Sequence, residues 1–169
     1  MIGRRFAVAF IVLLAMFSTG IVEAQSAVGT GKLELSITGI DVPGTLSNST
    51  LSDNTVTMSM SVDDTAQTNM AQVSVTATGN WYGKTIGTGL EGIIYDVRGT
   101  VKICYIFSCP TANFVGYGTW TGELANNSTE AAGTFHCTLI FTSTQIQIIP
   151  LNKPISVSGL WNSTLQSSS

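Results

Sequence analysis

Charge is what this chain has least of. Seven Lys and Arg, ten Asp and Glu and one His are shared among 169 residues, so charged side chains reach 10% where ~25% is usual. A charged disordered tail, a long solvated helix and a coiled coil all need more than this. The cations are spread along the sequence and the formal net charge is −3, which leaves no electrostatic footprint for nucleic acid. Imidazole is scarcer still. His136 is the single histidine, so a Ser or Cys nucleophile has one base to draw on, and the sequence holds no GxSxG elbow, no HExxH and no Gly-rich phosphate loop.

The carboxylates offer little more. Glu91, Asp96, Glu123 and Glu130 fall near expected strand ends, and although a glycosidase needs only two, their spacing brings no pair together. Solvated edge charges account for them. Asp63 and Asp64, with Asp53 and Asp41, could supply oxygen ligands to calcium from adjoining loops, but the spaced acidic loop of calcium motifs is missing. A transition-metal site fares no better, because there is no second Cys pair and His136 alternates with Thr134 and Thr138 on a polar face. The chain is therefore read as non-enzymatic, without cofactor or metal.

Long apolar runs are absent except at the start. Arg4 and Arg5 precede an apolar stretch from Phe6 to Phe17, and small residues follow around Val22 and Ala24, the layout of a signal peptide over residues 1–24. The stretch is broken at Ser18, Thr19 and Gly20, short of the ~18 apolar residues of a membrane helix. Cleavage after Ala24 is expected, so membrane contact would come only through this transient segment. The product would be secreted, extracellular or at a cell surface.

What the chain has in abundance is hydroxyl: 18 Ser and 23 Thr supply most of its polarity. From Lys32 onward they alternate with apolar residues at a period of two. Leu33, Leu35 and Ile37 interleave with Glu34, Ser36 and Thr38, and Val56, Met58, Met60 and Val62 with Thr57, Ser59 and Ser61. The pattern returns around Val73, Val101, Phe135 and Ile155, and no window has helical periodicity. Turn signals stand at Val42-Pro43-Gly44, Ser52-Asp53-Asn54, Arg98-Gly99, Cys109-Pro110 and Asn152-Lys153-Pro154. Residues 25–169 thus read as one all-β domain. About nine to eleven strands are expected, in an antiparallel β-sandwich or an up-and-down or Greek-key β-barrel.

One pattern is more specific: glycine, any residue, an aromatic, any residue, a small residue. It occurs as Gly79 to Gly83, Gly118 to Gly122, Gly133 to Cys137 and Gly159 to Ser163, centred on Trp81, Trp120, Phe135 and Trp161. Residues two apart share a strand face, so each ring is flanked by small residues, which suits a tightly curled sheet. The aromatic face has two readings, a filled core or a pocket for a lipid or other apolar molecule. Unequal spacing of the four copies argues against a solenoid or propeller.

Three cysteines are an odd number for an oxidising compartment. Cys104 and Cys109 flank an expected hairpin turn and can join if the chain bends there, while Cys137 shares an apolar face with Phe135 and Leu139 and reads as a buried free thiol. Four N-glycosylation sequons start at Asn48, Asn126, Asn127 and Asn162, where chance predicts about two. The first three fall in expected loops and the fourth on the polar face of a strand.

These observations favour a non-enzymatic extracellular or cell-surface protein acting in structure, adhesion or assembly, its partner an extracellular protein or a second copy of itself. In one form, the lead Gln25 to Gly31 and strand Lys32 to Ile40 would add to a neighbour's sheet edge and build a filament. The second reading is a small barrel binding an apolar molecule among the Trp rings. An outer-membrane barrel needs the rings to face lipid, and the apolar runs look too short to span.

Overall fold

The computed structural model describes residues 29–37, 40–67, 71–125 and 129–167, and the expected signal peptide lies outside them. Among the described residues there is no helix. Eight antiparallel strands follow one another as a meander: β1 (Gly29–Ile37), β2 (Ile40–Ser52), β3 (Thr55–Gln67), β4 (Gln72–Ile86), β5 (Gly89–Cys104), β6 (Thr111–Leu124), β7 (Glu130–Thr144) and β8 (Pro154–Thr164). β1 pairs with β8 on one side and β2 on the other, which closes an up-and-down β-barrel. A two-residue β9 (Gln166–Ser167) runs parallel to β2 at Thr50 and Leu51. The architecture is the barrel, not the sandwich, and closure leaves the long strands no free edges.

The alternation that suggested strands also sets their faces. On β3, Val56, Met58, Met60 and Val62 are buried while Thr57, Ser61 and Asp63 are exposed. A barrel immersed in lipid needs the opposite disposition. The expected shortness of the strands does not hold, since β2 to β7 run for 13 to 16 residues; what opposes a membrane-spanning wall is the apolar interior and an outer face in which Thr and Ser stand among the exposed Tyr82, Ile93 and Tyr117.

Two of the expected turns are not turns, because strands this long absorb them. Pro43 lies within β2, outward-facing and opposite Glu34, and Gly99 lies within β5 opposite Phe114. Asn48 is not in a loop but in β2, where the register shifts between Ser47 and Thr50 and φ is 53°. Asp96 does the same in β5, between Ile94 and Val97, with φ of 51°. Both are bulges in which a short polar side chain tolerates the left-handed conformation and bends the strand. Asp53 and Asn54, with φ of 46° and 65°, form the two-residue β2–β3 turn, both central residues positive as a type I′ hairpin requires.

Glycines and rings make the curl. Gly92 of β5 stands opposite Trp120 of β6 and Gly83 of β4, and the Trp120 indole covers both; a Cβ at Gly92 would lie 2.5 Å from Nε1. Trp161 of β8 covers Gly122, Phe135 of β7 covers Gly159, and Phe114 of β6 covers Gly99. Each ring thus fills the space that a glycine leaves on another strand, letting the backbones bend inward without a void.

Near the seam, Ser163 donates a 2.7 Å hydrogen bond to Ser49 across the β1 glycines, both hydroxyls buried. A Cβ at Gly31 would lie 2.7 Å from the Ser163 Cβ, so glycine there opens the gap. The barrel has two distinct rims. The upper rim carries the β1–β2, β3–β4, β5–β6 and β7–β8 connections, and the lower rim carries the other three with the start of β1 and the end of β8.

Candidate functional site

The four aromatic residues singled out by the repeated pattern meet in the barrel interior. Trp81 lies at the centre, its ring 5.8 Å from that of Trp120, 5.6 Å from Phe135 and 5.9 Å from Trp161. Trp120 and Trp161 are edge-on at 5.4 Å. Offset and edge-on arrangements at this range are favourable for aromatic quadrupoles, at about 0.5–1.5 kcal/mol per pair beyond burial. All four rings are buried. Their polar edges are treated unequally, however. Trp161 Nε1 donates to the Thr121 carbonyl at 3.0 Å, whereas Trp81 Nε1 and Trp120 Nε1 are buried and make no hydrogen bond among the described residues. An unmet buried donor costs about 1–3 kcal/mol, which the packing of the indoles must offset.

A second ring pair, Phe114 with Phe141 at 5.6 Å, occupies the upper half of the interior, and Ile146 from the β7–β8 connection is buried with it. Cys137 faces inward and is free, as its strand position indicated; burial pushes its thiol from an ordinary 9.0 up to about 11. A thiol so disfavoured as thiolate is a poor nucleophile. His136, its neighbour in sequence, is exposed on the outer wall.

The carboxylates do not assemble. Glu91 lies near the start of β5, 3.5 Å from Lys84, and Glu123 and Glu130 also fall at strand ends as expected, whereas Asp96 occupies the β5 bulge. Asp63 and Asp64 sit within β3 rather than in a loop, and Asp53 is at its other end, roughly 30 Å along an extended strand. The Asp41 side chain lies outside the described set. Among the described residues no three His, Cys, Asp or Glu are grouped to hold a metal ion.

Cys104 and Cys109 are disulfide-bonded, their Cα atoms 4.0 Å apart. The chain bends between them, with Tyr105 N–H donating to the Ser108 carbonyl at 2.8 Å and Ile103 N–H to the Pro110 carbonyl at 3.0 Å. Ile106 and Phe107 project from this staple at 87% and 96% exposure. The neighbouring β7–β8 connection is tied to it through Gln145, whose N–H donates to the Thr111 carbonyl at 2.8 Å while its side-chain oxygen accepts from Thr111 N–H at 3.2 Å. From that connection Ile148 projects at 87% exposure, beside the half-exposed Leu151. Sequence periodicity overlooked this apolar rim because the residues belong to no strand. The available signal was an apolar trio between two cysteines.

On the outer wall, Tyr82 and Ile93 are cross-strand neighbours and both exposed. A shallow groove across the wall is lined in part by Asp63, Arg98, Thr100 and Asn113. Its polar groups bond to one another, Thr100 donating to Asn113 at 2.8 Å and Asn113 to Ser143 at 3.0 Å.

Asn48 and Asn162 are exposed, and the middle residues of their sequons are the buried pair Ser49 and Ser163. That hydrogen bond brings the two sequons together near the lower rim. Asn126 and Asn127 lie outside the described residues, within the segment joining Leu124 to Glu130, whose two flanks are on the lower rim. Among the described residues no helix is long and apolar enough to cross a membrane. No family model, no curated protein and no solved structure matches the chain.

Proposed function

We propose that this is a secreted, non-enzymatic extracellular or cell-surface barrel that acts in structure, adhesion or assembly, and works through its exterior. The observation that carries this reading is the interior itself: Trp81, Trp120, Phe135 and Trp161 pack on one another, and the last three also on glycines of other strands. With side chains in that space, recognition falls to rims and walls. The Cys104–Cys109 disulfide fits an oxidising compartment, and a hydroxyl-rich surface gives solubility without charge. β1 is engaged on both sides within its own barrel, so assembly by donating that strand loses its support. Assembly or adhesion would use the outer surface instead.

The test is a fluorescence titration against a panel of apolar ligands. Buried indoles report directly on anything entering the ring cluster. Unchanged emission is expected; a saturable shift would transfer the function to the interior. That second reading, a carrier of an apolar molecule, has one observation in its favour. The indole N–H groups of Trp81 and Trp120 are unmet donors that a ligand's oxygen could satisfy.

A further inference from the structure

From the upper rim we infer that the protein docks on a lipid bilayer, inserting the tips of the β5–β6 and β7–β8 connections among anionic headgroups. The inference deepens the exterior-working reading above and rests on it, by naming the surface and its partner.

Ile106, Phe107 and Ile148 are almost wholly exposed, and Tyr105 and Leu151 stand beside them half-exposed. Leaving a large apolar side chain in water forgoes about 1.5–3 kcal/mol relative to burial. Three such side chains on two adjoining loops form a site, not scatter. Their shape selects the partner class. They project convexly from hairpin ends, and a bilayer accepts a convex apolar tip anywhere on its surface, whereas a folded partner must supply a matching groove. The disulfide and the Gln145 hydrogen bonds hold the tips in place beforehand, so little conformational freedom is lost on insertion. Tyr105, apolar in its ring and polar at its hydroxyl, has the chemistry of a headgroup-level anchor.

Charge points the same way. No Asp or Glu occurs from Val97 to Gly122, nor from Ala131 to Ser169, stretches that contain both loops and the upper halves of β5, β6, β7 and β8. They do contain Arg98, Lys102 and Lys153, all exposed. In a chain of net charge −3 this is a local excess of cations behind the apolar tips, complementary to an anionic leaflet. Asp63 of β3 shares the outer-wall groove with Arg98, so the cations assigned to the leaflet are Lys102 and Lys153, next to the two loops. The described sequons, at Asn48 and Asn162, lie toward the lower rim, so glycans there would point away from the bound surface.

Co-sedimentation of the full secreted protein with vesicles tests this, using phosphatidylcholine mixed with phosphatidylglycerol, and phosphatidylcholine alone. Tighter binding to the mixed vesicles is expected, weakening as salt is added. Ile106→Ser combined with Phe107→Ser should lower affinity by about a hundredfold, since each withdrawn side chain is worth at least about tenfold. Both are exposed, so the thermal melt should not move. Lys102→Glu with Lys153→Glu should remove the preference for the anionic vesicles. As a control, Tyr82→Ser with Ile93→Ser, on the outer wall, should leave binding unchanged.

Failure to bind either vesicle overturns the proposal, as does equal loss in the wall variant, which would mean unspecific adsorption. A change of oligomeric state in the Ile106/Phe107 variant would assign the rim to a second copy instead and also overturn it. Failure of the underlying reading looks different: lipid would travel with the protein as a stoichiometric, non-covalent mass after vesicles are removed.

Discussion

At the scale of single residues, the fold turns on the fit between rings and glycines. Trp120→Ala should destabilise the fold by about 3–5 kcal/mol, measured by chemical denaturation, because it empties the space over Gly83 and Gly92. The reciprocal change tests the same fit from the other side. A Cβ at Gly122 would come within 2.5 Å of the Trp161 ring and 2.7 Å of the Ala132 carbonyl, so Gly122→Ala should cost about 1–3 kcal/mol. Gly87 provides the contrast, with φ of 64° in the β4–β5 turn and nothing near its absent Cβ; Gly87→Asn should be close to neutral. Cys137 makes a pH prediction whose sign follows from its raised pKa. The unfolded thiol ionises near 9 and the folded one near 11, so its contribution is intact below pH 9 and is lost as pH rises toward 11. A thiol reagent should label the native protein slowly and the unfolded protein at once; rapid native labelling would contradict the burial. The inward direction of all three Trp side chains was legible from the pattern of glycines two residues either side. The exposure of Ile106 and Phe107 was not, since periodicity describes strands and is silent about what a loop tip does with its side chains.

At the scale of elements, β1 and the stapled hairpin are the informative pieces. β1 joins the two ends of the meander, and deleting residues 25–40 should open the barrel and leave unpaired edges on β2 and β8. Size-exclusion chromatography should then show aggregates or higher oligomers; an unchanged monomer would mean that β1 is dispensable to the closed fold. The Cys104–Cys109 bridge closes a short loop, so Cys104→Ser with Cys109→Ser should lower stability by only about 2 kcal/mol. Its larger consequence should be weaker vesicle binding, because the tips would lose their fixed position. Strand existence was readable from alternating apolar residues, whereas strand length was not. Pro43, Asn48 and Gly99 are turn-formers by local preference, yet the sheet accommodates them: Pro43 on an outward-facing position, Asn48 in a bulge, and Gly99 beneath the Phe114 ring. Tertiary packing outweighed local punctuation at each.

At the scale of the whole molecule, barrel closure was the choice that periodicity left open, because strand pairing partners are set by packing across the interior. A sandwich presents the same alternation of faces. What favours the barrel is the distribution of glycine along strands β4 to β8: β6, β7 and β8 each supply a large ring, Trp120, Phe135 and Trp161, that covers glycines of other strands, and β5 supplies Gly92. The result is a molecule with unlike ends: apolar tips flanked by Lys102 and Lys153 above, the sequons of Asn48 and Asn162 toward the other end, and between them a hydroxyl-rich wall with a few exposed rings. That polarity joins the features needed for docking on an outer surface while leaving the ring cluster as core. Native mass spectrometry of the protein purified from its own source decides between a filled and an occupied interior. The account predicts a polypeptide beginning at Gln25 with one disulfide, plus any glycans, and no other stoichiometric mass. A tightly held apolar molecule would contradict it, and would make the indoles of Trp81 and Trp120 the binding site.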